Sequence, residues 1–219
     1  MDAPRFDHLT LELAPPLAVL TLDRPARLNA LGPALMDGLI ATCGWLAAQT
    51  ALHGVLLQGA GRAFSAGFDL QTLAAADGAP PDADAADQGR RLIDAWAALP
   101  QVTLAAIHGP CLGGGLLLAA ACDLRIAADN ASFGLPEIEI GLPLAWGGVP
   151  RLLAQLGPAL TAELVLDARR FGSAEALAWG WINRVVAADQ LGTEARAWAE
   201  RLAARPGPPL RAAKPRLAA

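Results

Sequence analysis

The sequence TLAAIHGPCLGGGLLLAAACDLRI at residues 103–126 places a strand, a tight turn, a helix and a second strand in direct succession. The apolar residues Thr103–Ile107 predict a strand, which ends at the turn-forming residues His108, Gly109 and Pro110. The second strand is predicted over Cys122–Ala127. Strands and helices that alternate in this way are typical of an α/β fold.

Three glycines, Gly113–Gly115, open the helix, and the leucines and alanines of Leu116–Ala121 extend it because of their high helix propensity. Glycines carry no side chain, so the N–H groups at this helix start are bare and lie at the positive end of the helix dipole. We therefore predict a site for an anion or for a developing oxyanion here. Tight backbone packing of a buried helix is the alternative interpretation of the glycines.

The composition indicates one large domain with surface that is buried against other subunits. The chain has 219 residues, the size of one domain or of one domain with a small appendage. Hydrophobic residues make up 54% and charged residues 17%, and the mean hydropathy is +0.35. A composition this apolar favours an oligomer, in which apolar surface is covered by other subunits. The many alanines weaken this argument, because they raise the apolar count without adding much buried area.

Charge, hydropathy and cysteine content argue against several kinds of protein. With a net charge of −4 and an isoelectric point near 5.3, we expect no nucleic-acid partner, because no basic patch is available to release counterions. The apolar run Val102–Cys122 is interrupted by His108, Pro110 and the glycines, so we expect no membrane span. The N-terminus lacks an apolar signal core, and the three cysteines show no metal-ligand spacing. These features predict a cytoplasmic protein without a metal site or disulfides.

The remaining sequence predicts further strands and helices on both sides of this stretch. Before it, the elements are strands at His8–Leu13, Leu17–Leu22 and Gly54–Gln58 and helices at Pro33–Gln49 and Gln88–Ala98. After it, they are a strand and a single turn within Ser132–Gly141 and helices near Gly147–Gln155, Pro158–Leu166, Ala174–Gly180 and Asp189–Ala204. Residues Ala74–Gln88 are acidic, small and proline-bearing, which predicts a mobile surface loop.

A second loop rich in small residues, GAGRAFSAGFDL, spans Gly59–Leu70. Its small residues allow a ligand to approach the backbone closely, so backbone groups of Ala66, Phe68 and Leu70 are candidates for recognising one. The glycine spacing does not match the GxGxxG or GxxxxGK[ST] patterns, which argues against a nucleotide-phosphate site. Ser65 lacks the GxSxG surroundings of a serine hydrolase.

These segments resemble the crotonase (enoyl-CoA hydratase/isomerase) superfamily. The similar blocks, in the family's order, are LDRPARLNAL (residues 22–31), GRAFSAGFDL (61–70), HGPCLGGGLLLAAACDLRIA (108–127), FGLPEIEIGLPLAWGGVPRL (133–152) and ELVLDARRFGSAEALAWGWINRVV (163–186). The resemblance covers nearly the whole chain. It implies a spiral of strand–strand–helix units, with two roughly perpendicular sheets wrapped by helices.

The resemblance implies an acyl-CoA thioester as substrate and no separate cofactor. By position in the family's blocks, the thioester oxygen is expected to bind the N–H groups of Phe68 and Gly114. Two such donors stabilise the enolate that forms when the thioester loses its α-proton, and each is worth about 2.7–4 kcal/mol in related enzymes. The prediction for Gly114 agrees with the helix start deduced above from the glycines alone.

The resemblance also indicates which acid/base residues are present. The family's hydratases use two glutamates, and the matching positions here hold Glu137 and Leu117. Hydration needs a water molecule activated and a proton delivered, whereas moving a double bond from the 3 to the 2 position needs one base. Glu137 with Leu117 resembles the family's 3-to-2 enoyl-CoA isomerases. Ala145 occupies the acidic position of dienoyl isomerases, which argues against that activity.

Each of these residues also has a purely structural interpretation, and the function has alternatives. Glu137 follows Pro136 at a helix start, where an acid is favourable for the helix dipole alone. Arg24 and Arg27 are candidates for binding CoA phosphates or are ordinary surface arginines, and Trp146 either lines the acyl pocket or packs in the core. The alternatives to isomerisation are hydration, another enolate reaction, and binding of acyl-CoA without turnover.

The resemblance further implies a homotrimer or a hexamer built as a dimer of trimers. We predict a core domain over residues 1–188 and a C-terminal helical segment over residues 189–219, which is shorter than is usual for the family. Relatives usually continue into a further helix that helps to close the CoA and acyl site, so we expect weaker CoA binding.

Overall fold

The computed structural model describes residues 4–74 and 83–217. Its strands are β1 (Leu9–Ala14), β2 (Leu17–Leu22), β3 (Gly54–Gly59), β4 (Val102–Ile107), β5 (Pro110–Leu112), β6 (Leu124–Ala128), β7 (Ser132–Gly134), β8 (Phe171–Gly172) and β9 (Arg184–Val186). Its helices are α1 (Pro33–Ala47), α2 (Leu70–Ala74), α3 (Ala83–Ala97), α4 (Gly114–Ala120), α5 (Gly148–Leu156), α6 (Pro158–Leu166), α7 (Ser173–Ala178), α8 (Leu191–Ala203) and α9 (Gly207–Leu217). Two 3-10 helices span Pro25–Arg27 and Pro136–Ile140.

The strands form a six-stranded sheet and a three-stranded sheet. The larger sheet has the order β1-β2-β3-β4-β6-β9, with β1 antiparallel to β2 and all the other pairs parallel. The smaller sheet has the order β5-β7-β8, with β5 parallel to β7 and β8 antiparallel to β7. Because β5 follows β4 after a two-residue turn, the chain changes sheets immediately before α4 begins.

Helices cover both faces of the larger sheet. On one face, Leu17 and Val19 of β2 pack in a buried cluster with Trp198 of α8. On the other face, Leu20 and Leu22 pack in the main core with residues of α1, α3 and α4. Parallel strands buried on both faces have continuous apolar sequences, as LAVLTL in β2 does.

Most predicted elements are present within a few residues of their expected bounds. The hairpin, the helix after it, the strand–turn–helix–strand succession and the single turn at Pro136 are confirmed. The predicted loop at Ala74–Gln88 is wrong at its C-terminal end, since α3 begins at Ala83. Helix-forming alanines start this helix, and the Gln88 amide anchors it by donating to the Pro33 carbonyl and to Asp37 Oδ1 at 3.0 and 2.7 Å. Residues 75–82 of the predicted loop lie outside the described residues.

The predicted C-terminal segment contributes α8 and α9. The buried Lys214 ammonium of α9 lies 2.8 Å from the Gln101 carbonyl and 2.9 Å from an Asp123 oxygen, which also accepts a hydrogen bond from the Thr103 N–H. This ion pair attaches α9 to the start of β4. The division of the chain at residue 188 stays a prediction. No helix in the described ranges is long and apolar enough to cross a bilayer.

The turn after β2 is organised by Asn29. This residue is fully buried and has a backbone φ of 55°. Its side-chain amide donates to the carbonyls of Ala60 and Ala63 at 2.9 and 2.8 Å, and its Oδ1 accepts from the Arg24 N–H at 2.9 Å. Its own carbonyl accepts the Ser65 hydroxyl at 2.9 Å. Asn29 therefore joins the turn to the start of the loop that follows β3.

We predict that Asn29→Ala lowers the free energy of unfolding by about 3 kcal/mol, because it leaves buried carbonyl and N–H groups unpaired and removes the side-chain hydrogen bonds that compensate for the left-handed φ of residue 29. Urea denaturation followed by circular dichroism measures the change. Asn130→Ala, at an exposed turn position, is the control and is expected to change stability by less than about 0.5 kcal/mol. Equal effects of the two substitutions would contradict the role given to Asn29.

Candidate active site

The loop after β3 is held between two other backbone segments. Phe68 forms an isolated parallel bridge with Leu31, and Ser65 forms another with Cys111 of β5. The Leu31 N–H donates to the Gly67 carbonyl at 2.7 Å, and the Leu112 N–H donates to the Ser65 carbonyl at 3.0 Å. With a partner on each side, residues 65–68 form an extended segment that is fixed against the start of α4.

The closest approach in this region lies between Gly67 and the turn before α4. A β-carbon placed on Gly67 would lie 2.6 Å from the Leu112 carbonyl oxygen and 3.2 Å from the Gly114 nitrogen. Gly67 also has a φ of 87°, in the left-handed region that favours glycine. Both the space and the backbone angle therefore require glycine here, and the two segments meet backbone to backbone.

Two N–H groups lack acceptors where these segments meet. Within residues 4–74 and 83–217, neither the Phe68 N–H nor the Gly114 N–H donates a hydrogen bond. Gly114 is the first residue of α4, where N–H groups have no partner inside the helix. By contrast, the Ala66 N–H donates to the Leu28 carbonyl at 2.8 Å. Of the two backbone groups of Ala66, only the carbonyl oxygen is therefore available to a ligand. Leu70 begins α2, and 49% of its surface is exposed.

The Glu137 carboxyl lies directly against the glycines that open α4. It belongs to the 3-10 helix Pro136–Ile140, and its Oε1 is so close to Gly113 that a β-carbon there would overlap it. Its Oε2 is buried and has no hydrogen-bond partner in the described part of the chain. Burial raises the pKa of Glu137, and its own N–H and Arg170 offset this only in part. The Glu137 carboxylate therefore binds a proton more tightly than an exposed glutamate does.

A cavity of about 190 Å³ joins these groups. The described residues that line it come from both glycine-rich segments, from α3 and from the segment after the 3-10 helix: Phe68, Ala86, Gly114, Leu117, Glu137, Leu142, Pro143, Leu144, Ala145 and Trp146. Glu137 is the one ionisable side chain among them. Leu117, which is 1% exposed, presents a hydrocarbon wall. The cavity thus combines one carboxyl group with apolar surroundings.

The Trp146 indole closes one side of this cavity. It lies so close to Gly114 of α4 and Gly89 of α3 that a β-carbon on either glycine would overlap the ring. The ring also meets Phe68 edge-on, with centroids 6.2 Å apart at an interplanar angle of 85°. Trp146 has a φ of 57°, which is uncommon for so large a residue. The sequence left open whether Trp146 lines a pocket or packs in the core. In the structure it does both, since the ring is buried and lies at the cavity wall.

The two candidate arginines have different surroundings. Arg24 pairs with Asp69 at 2.5 Å and also donates to the Ala30 carbonyl, so it holds the loop together. Burial on its own would raise the pKa of Asp69, but hydrogen bonds from Arg24 and from the Gln71 N–H bring it below its ordinary value. Arg27 ends the first 3-10 helix and is exposed, and its guanidinium has no hydrogen-bond partner among the described residues.

Comparison with known proteins establishes the family. A sequence profile for enoyl-CoA hydratase/isomerase matches residues 14–219. The chain belongs to the enoyl-CoA hydratase/isomerase family. It is 38% identical over 197 residues to a probable enoyl-CoA hydratase of Mycobacterium bovis, which covers 89% of this chain and 74% of that protein. It is 44% identical over 152 residues to carnitinyl-CoA dehydratase of Escherichia coli, which covers 69% of this chain and 58% of that enzyme.

Solved structures of the family have the same fold as this chain. An enoyl-CoA hydratase/carnithine racemase from Magnetospirillum magneticum superposes with a TM-score of 0.92 at 35% identity, over 98% of this chain and 81% of that one. An enoyl-CoA hydratase from Bacillus anthracis superposes with a TM-score of 0.91 at 32% identity, over 97% and 83% of the two chains. This family member therefore has the predicted crotonase fold and is an acyl-CoA enzyme.

Two features of the site were not anticipated from the sequence. Asn29 fixes the loop through its side chain, and the only sequence signal for it is its place in the LDRPARLNAL block. Gly89 admits the Trp146 ring from the middle of α3, where a glycine is unfavourable for the helix and needs a packing reason. Among the residues that the structure describes, no three His, Cys, Asp or Glu side chains are placed to hold a metal ion.

We predict that Glu137→Gln gains stability relative to the wild-type protein as pH rises. The pKa of Glu137 in the folded protein lies above the ordinary 4.5. The wild-type protein therefore has its full stability below about pH 4.5 and loses some of it as the pH rises through the raised pKa. The variant has no carboxyl to ionise there. We expect the difference in unfolding free energy to grow by on the order of 1 kcal/mol between about pH 4 and about pH 8, measured by urea denaturation.

The matched control is Glu139→Gln, which changes an exposed carboxyl on the same 3-10 helix. Its unfolding free energy should follow the wild-type pH dependence. A Glu137→Gln curve parallel to that of the wild-type protein at every pH would show that burial does not hold a proton on Glu137.

Proposed function

We propose that this family member isomerises 3-enoyl-CoA thioesters to 2-enoyl-CoA thioesters with Glu137 as the single acid/base. The observation that carries the proposal is a cavity whose described lining holds one carboxyl group, Glu137, with the buried Leu117 beside it. Isomerisation needs one group that removes a proton and returns it at another carbon, and such a group serves both steps if it is close to both carbons.

The proton transfers balance without another reactant. The Glu137 carboxylate takes a proton from C2 of the 3-enoyl thioester, and the electron pair delocalises onto the thioester oxygen as a dienolate. The protonated Glu137 then gives its proton to C4, and the double bond is left between C2 and C3. The raised pKa of Glu137 suits this cycle, because a carboxylate that binds its proton more tightly is a stronger base.

The Phe68 and Gly114 N–H groups are proposed to bind the thioester oxygen. Both lack acceptors within the described residues, and both residues line the cavity beside Glu137. The Gly114 N–H also lies at the N-terminus of α4, where the helix dipole favours negative charge. Donors fixed before the reaction stabilise the dienolate more than the neutral thioester, which lowers the barrier to proton removal.

The remaining predicted residues are proposed to bind the rest of the substrate. The exposed Arg27 guanidinium is available for a CoA phosphate, whereas Arg24 is held by Asp69. The Ala66 carbonyl and the Leu70 backbone lie on the loop next to Phe68. Leu117 and Trp146 supply apolar contacts for the acyl group. A Thermobifida fusca protein assigned as an enoyl-CoA hydratase and solved with CoA has a TM-score of 0.89 and 31% identity to this chain, which supports a CoA ester as the ligand.

Hydration or dehydration of an enoyl-CoA is the second candidate function. The relatives described above include a probable enoyl-CoA hydratase and a carnitinyl-CoA dehydratase, which favours that chemistry. A hydratase needs a group to activate water in addition to a proton donor. Because Leu117 and Ala145 on the cavity wall have no acid/base group, Glu137 would have to activate the water and also donate the proton. Binding of acyl-CoA without turnover is the third possibility.

Assembly into a trimer or hexamer and a cytoplasmic location are also part of the proposal. Four large apolar side chains support assembly because they are exposed: Ile138 (48%), Ile140 (47%), Leu153 (41%) and Leu166 (71%). Apolar surface of this kind is typically covered in oligomers.

The first test follows conjugation of the thioester by ultraviolet absorbance. Purified protein mixed with a 3-enoyl-CoA should produce the absorbance of the conjugated 2-enoyl-CoA. Glu137→Gln should lower kcat by about 100- to 10,000-fold, the usual contribution of a general acid/base. In the exposed control Glu139→Gln, the rate should stay near that of the wild-type protein.

The same assay separates the alternatives. If 2-enoyl-CoA added alone loses its absorbance faster than 3-enoyl-CoA gains conjugation, the protein is a hydratase and the isomerase proposal is wrong. If neither substrate changes although acyl-CoA binds in calorimetry, a binding role replaces both. Equal activity of Glu137→Gln and the wild-type protein would remove Glu137 from the mechanism.

A further inference from the structure

The Trp146 ring separates two cavities. The first is the 190 Å³ cavity that contains Glu137, and the second, of about 360 Å³, lies between α3 and the start of α5. Both are lined by Ala86, Leu144, Ala145 and Trp146. Since Ala86 and Ala145 are small, the indole is the bulkiest group on the shared wall.

The ring is fixed in this position by contacts at opposite edges. Its Cη2 would be 2.6 Å from a β-carbon on Gly114, and its pyrrole edge lies against Gly89 in the middle of α3. Trp146 is 8% exposed, so little of the ring faces solvent. Any side chain at residue 89 would overlap the indole. The ring therefore fills the space between Gly89 of α3 and Gly114 of α4.

We propose that Trp146 determines the acyl-chain length that the site accepts, by closing the end of the cavity that would otherwise continue between α3 and α5. The inference rests on the proposed acyl-CoA site at Glu137 and adds the substrate class, namely thioesters whose acyl chain ends at the indole. Without the ring, the chain continues along Leu144, Ala145, Val149 and Pro150, which form the apolar side of the second cavity. The exposed Asp87 and Arg90 of α3 also line this cavity.

The backbone at Trp146 makes a clean test possible. With a φ of 57°, residue 146 is in a conformation that glycine adopts without steric cost. Trp146→Gly therefore removes the ring while it relieves the backbone. Leu142→Ala is the matched control, because Leu142 lines the first cavity and a third one of about 230 Å³, but not the second. It enlarges the site without opening that wall.

The experiment measures binding of saturated acyl-CoA thioesters of increasing chain length by calorimetry, so its result does not depend on turnover. In the wild-type protein, affinity should rise about fourfold for each methylene that becomes buried and then stop rising at one chain length. In Trp146→Gly, the rise should continue for at least two further methylenes. In Leu142→Ala, the limit should stay within one methylene of the wild-type limit.

Three outcomes separate the proposals. A limit that is the same in Trp146→Gly and the wild-type protein overturns the role of Trp146 while leaving the acyl-CoA site intact. An equal extension in Leu142→Ala shows that cavity size alone sets the limit and also overturns it. If the wild-type protein binds no acyl-CoA, the proposed function itself fails.

Gly89→Ala gives an independent measurement of where the Trp146 ring lies, by thermal denaturation of this substitution in two backgrounds. The substitution should lower the thermal midpoint in the wild-type background, since its methyl group overlaps the indole. It should raise or leave unchanged the midpoint in the Trp146→Gly background, since alanine is the better helix former. An equal shift in both backgrounds would mean that the ring does not occupy this space, and the proposal would be wrong.

Discussion

The site depends on backbone packing between the loop after β3 and the start of α4. Gly67 allows the two segments to approach, and the loop is held on one side by the bridge from Phe68 to Leu31 and on the other by the bridge from Ser65 to Cys111 of β5. Because the contact is made by backbone atoms, no change of side-chain rotamer can open it. Among the residues that the structure describes, it leaves the Phe68 and Gly114 N–H groups without acceptors on one cavity wall. Unpaired polar groups at a cavity wall are costly unless a ligand or water satisfies them.

The balance of polar and apolar groups around Glu137 determines what the cavity is suited to do. One carboxyl faces two bare N–H groups and an otherwise hydrocarbon lining. A charged carboxylate is poorly solvated there, while negative charge that forms on a bound oxygen is well stabilised. Charge is therefore easier to move from the carboxylate to the substrate oxygen than it would be in water. This difference in how the two negative charges are stabilised favours reactions that pass through an enolate. Among these reactions, isomerisation needs the fewest acid/base groups.

The sequence predicted the elements whose signals are local. The hairpin, α1, the glycine-initiated α4 and the turn at Pro136 all follow from alternation, propensity and turn residues near them in the chain. The start of α3 was misplaced because acidic and proline-rich residues precede it, and its anchor, the Gln88 hydrogen bond to Pro33, is distant in sequence. The positions of Asn29 and Gly89 depend on segments more than thirty residues away. Such long-range packing leaves no periodic pattern in one sequence.

The 3-10 helix Pro136–Ile140 connects the buried carboxyl to the outer surface. Glu137 faces the cavity, while Ile138 and Ile140, one and three residues further on, are about half exposed. A five-residue helix is too short to isolate its two sides from each other. Any contact that covers the two isoleucines also restrains the backbone that carries Glu137 and excludes water around it. If that contact came from another subunit, as proposed above, specific activity would depend on protein concentration, and dilution would lower the activity while the chain is still folded.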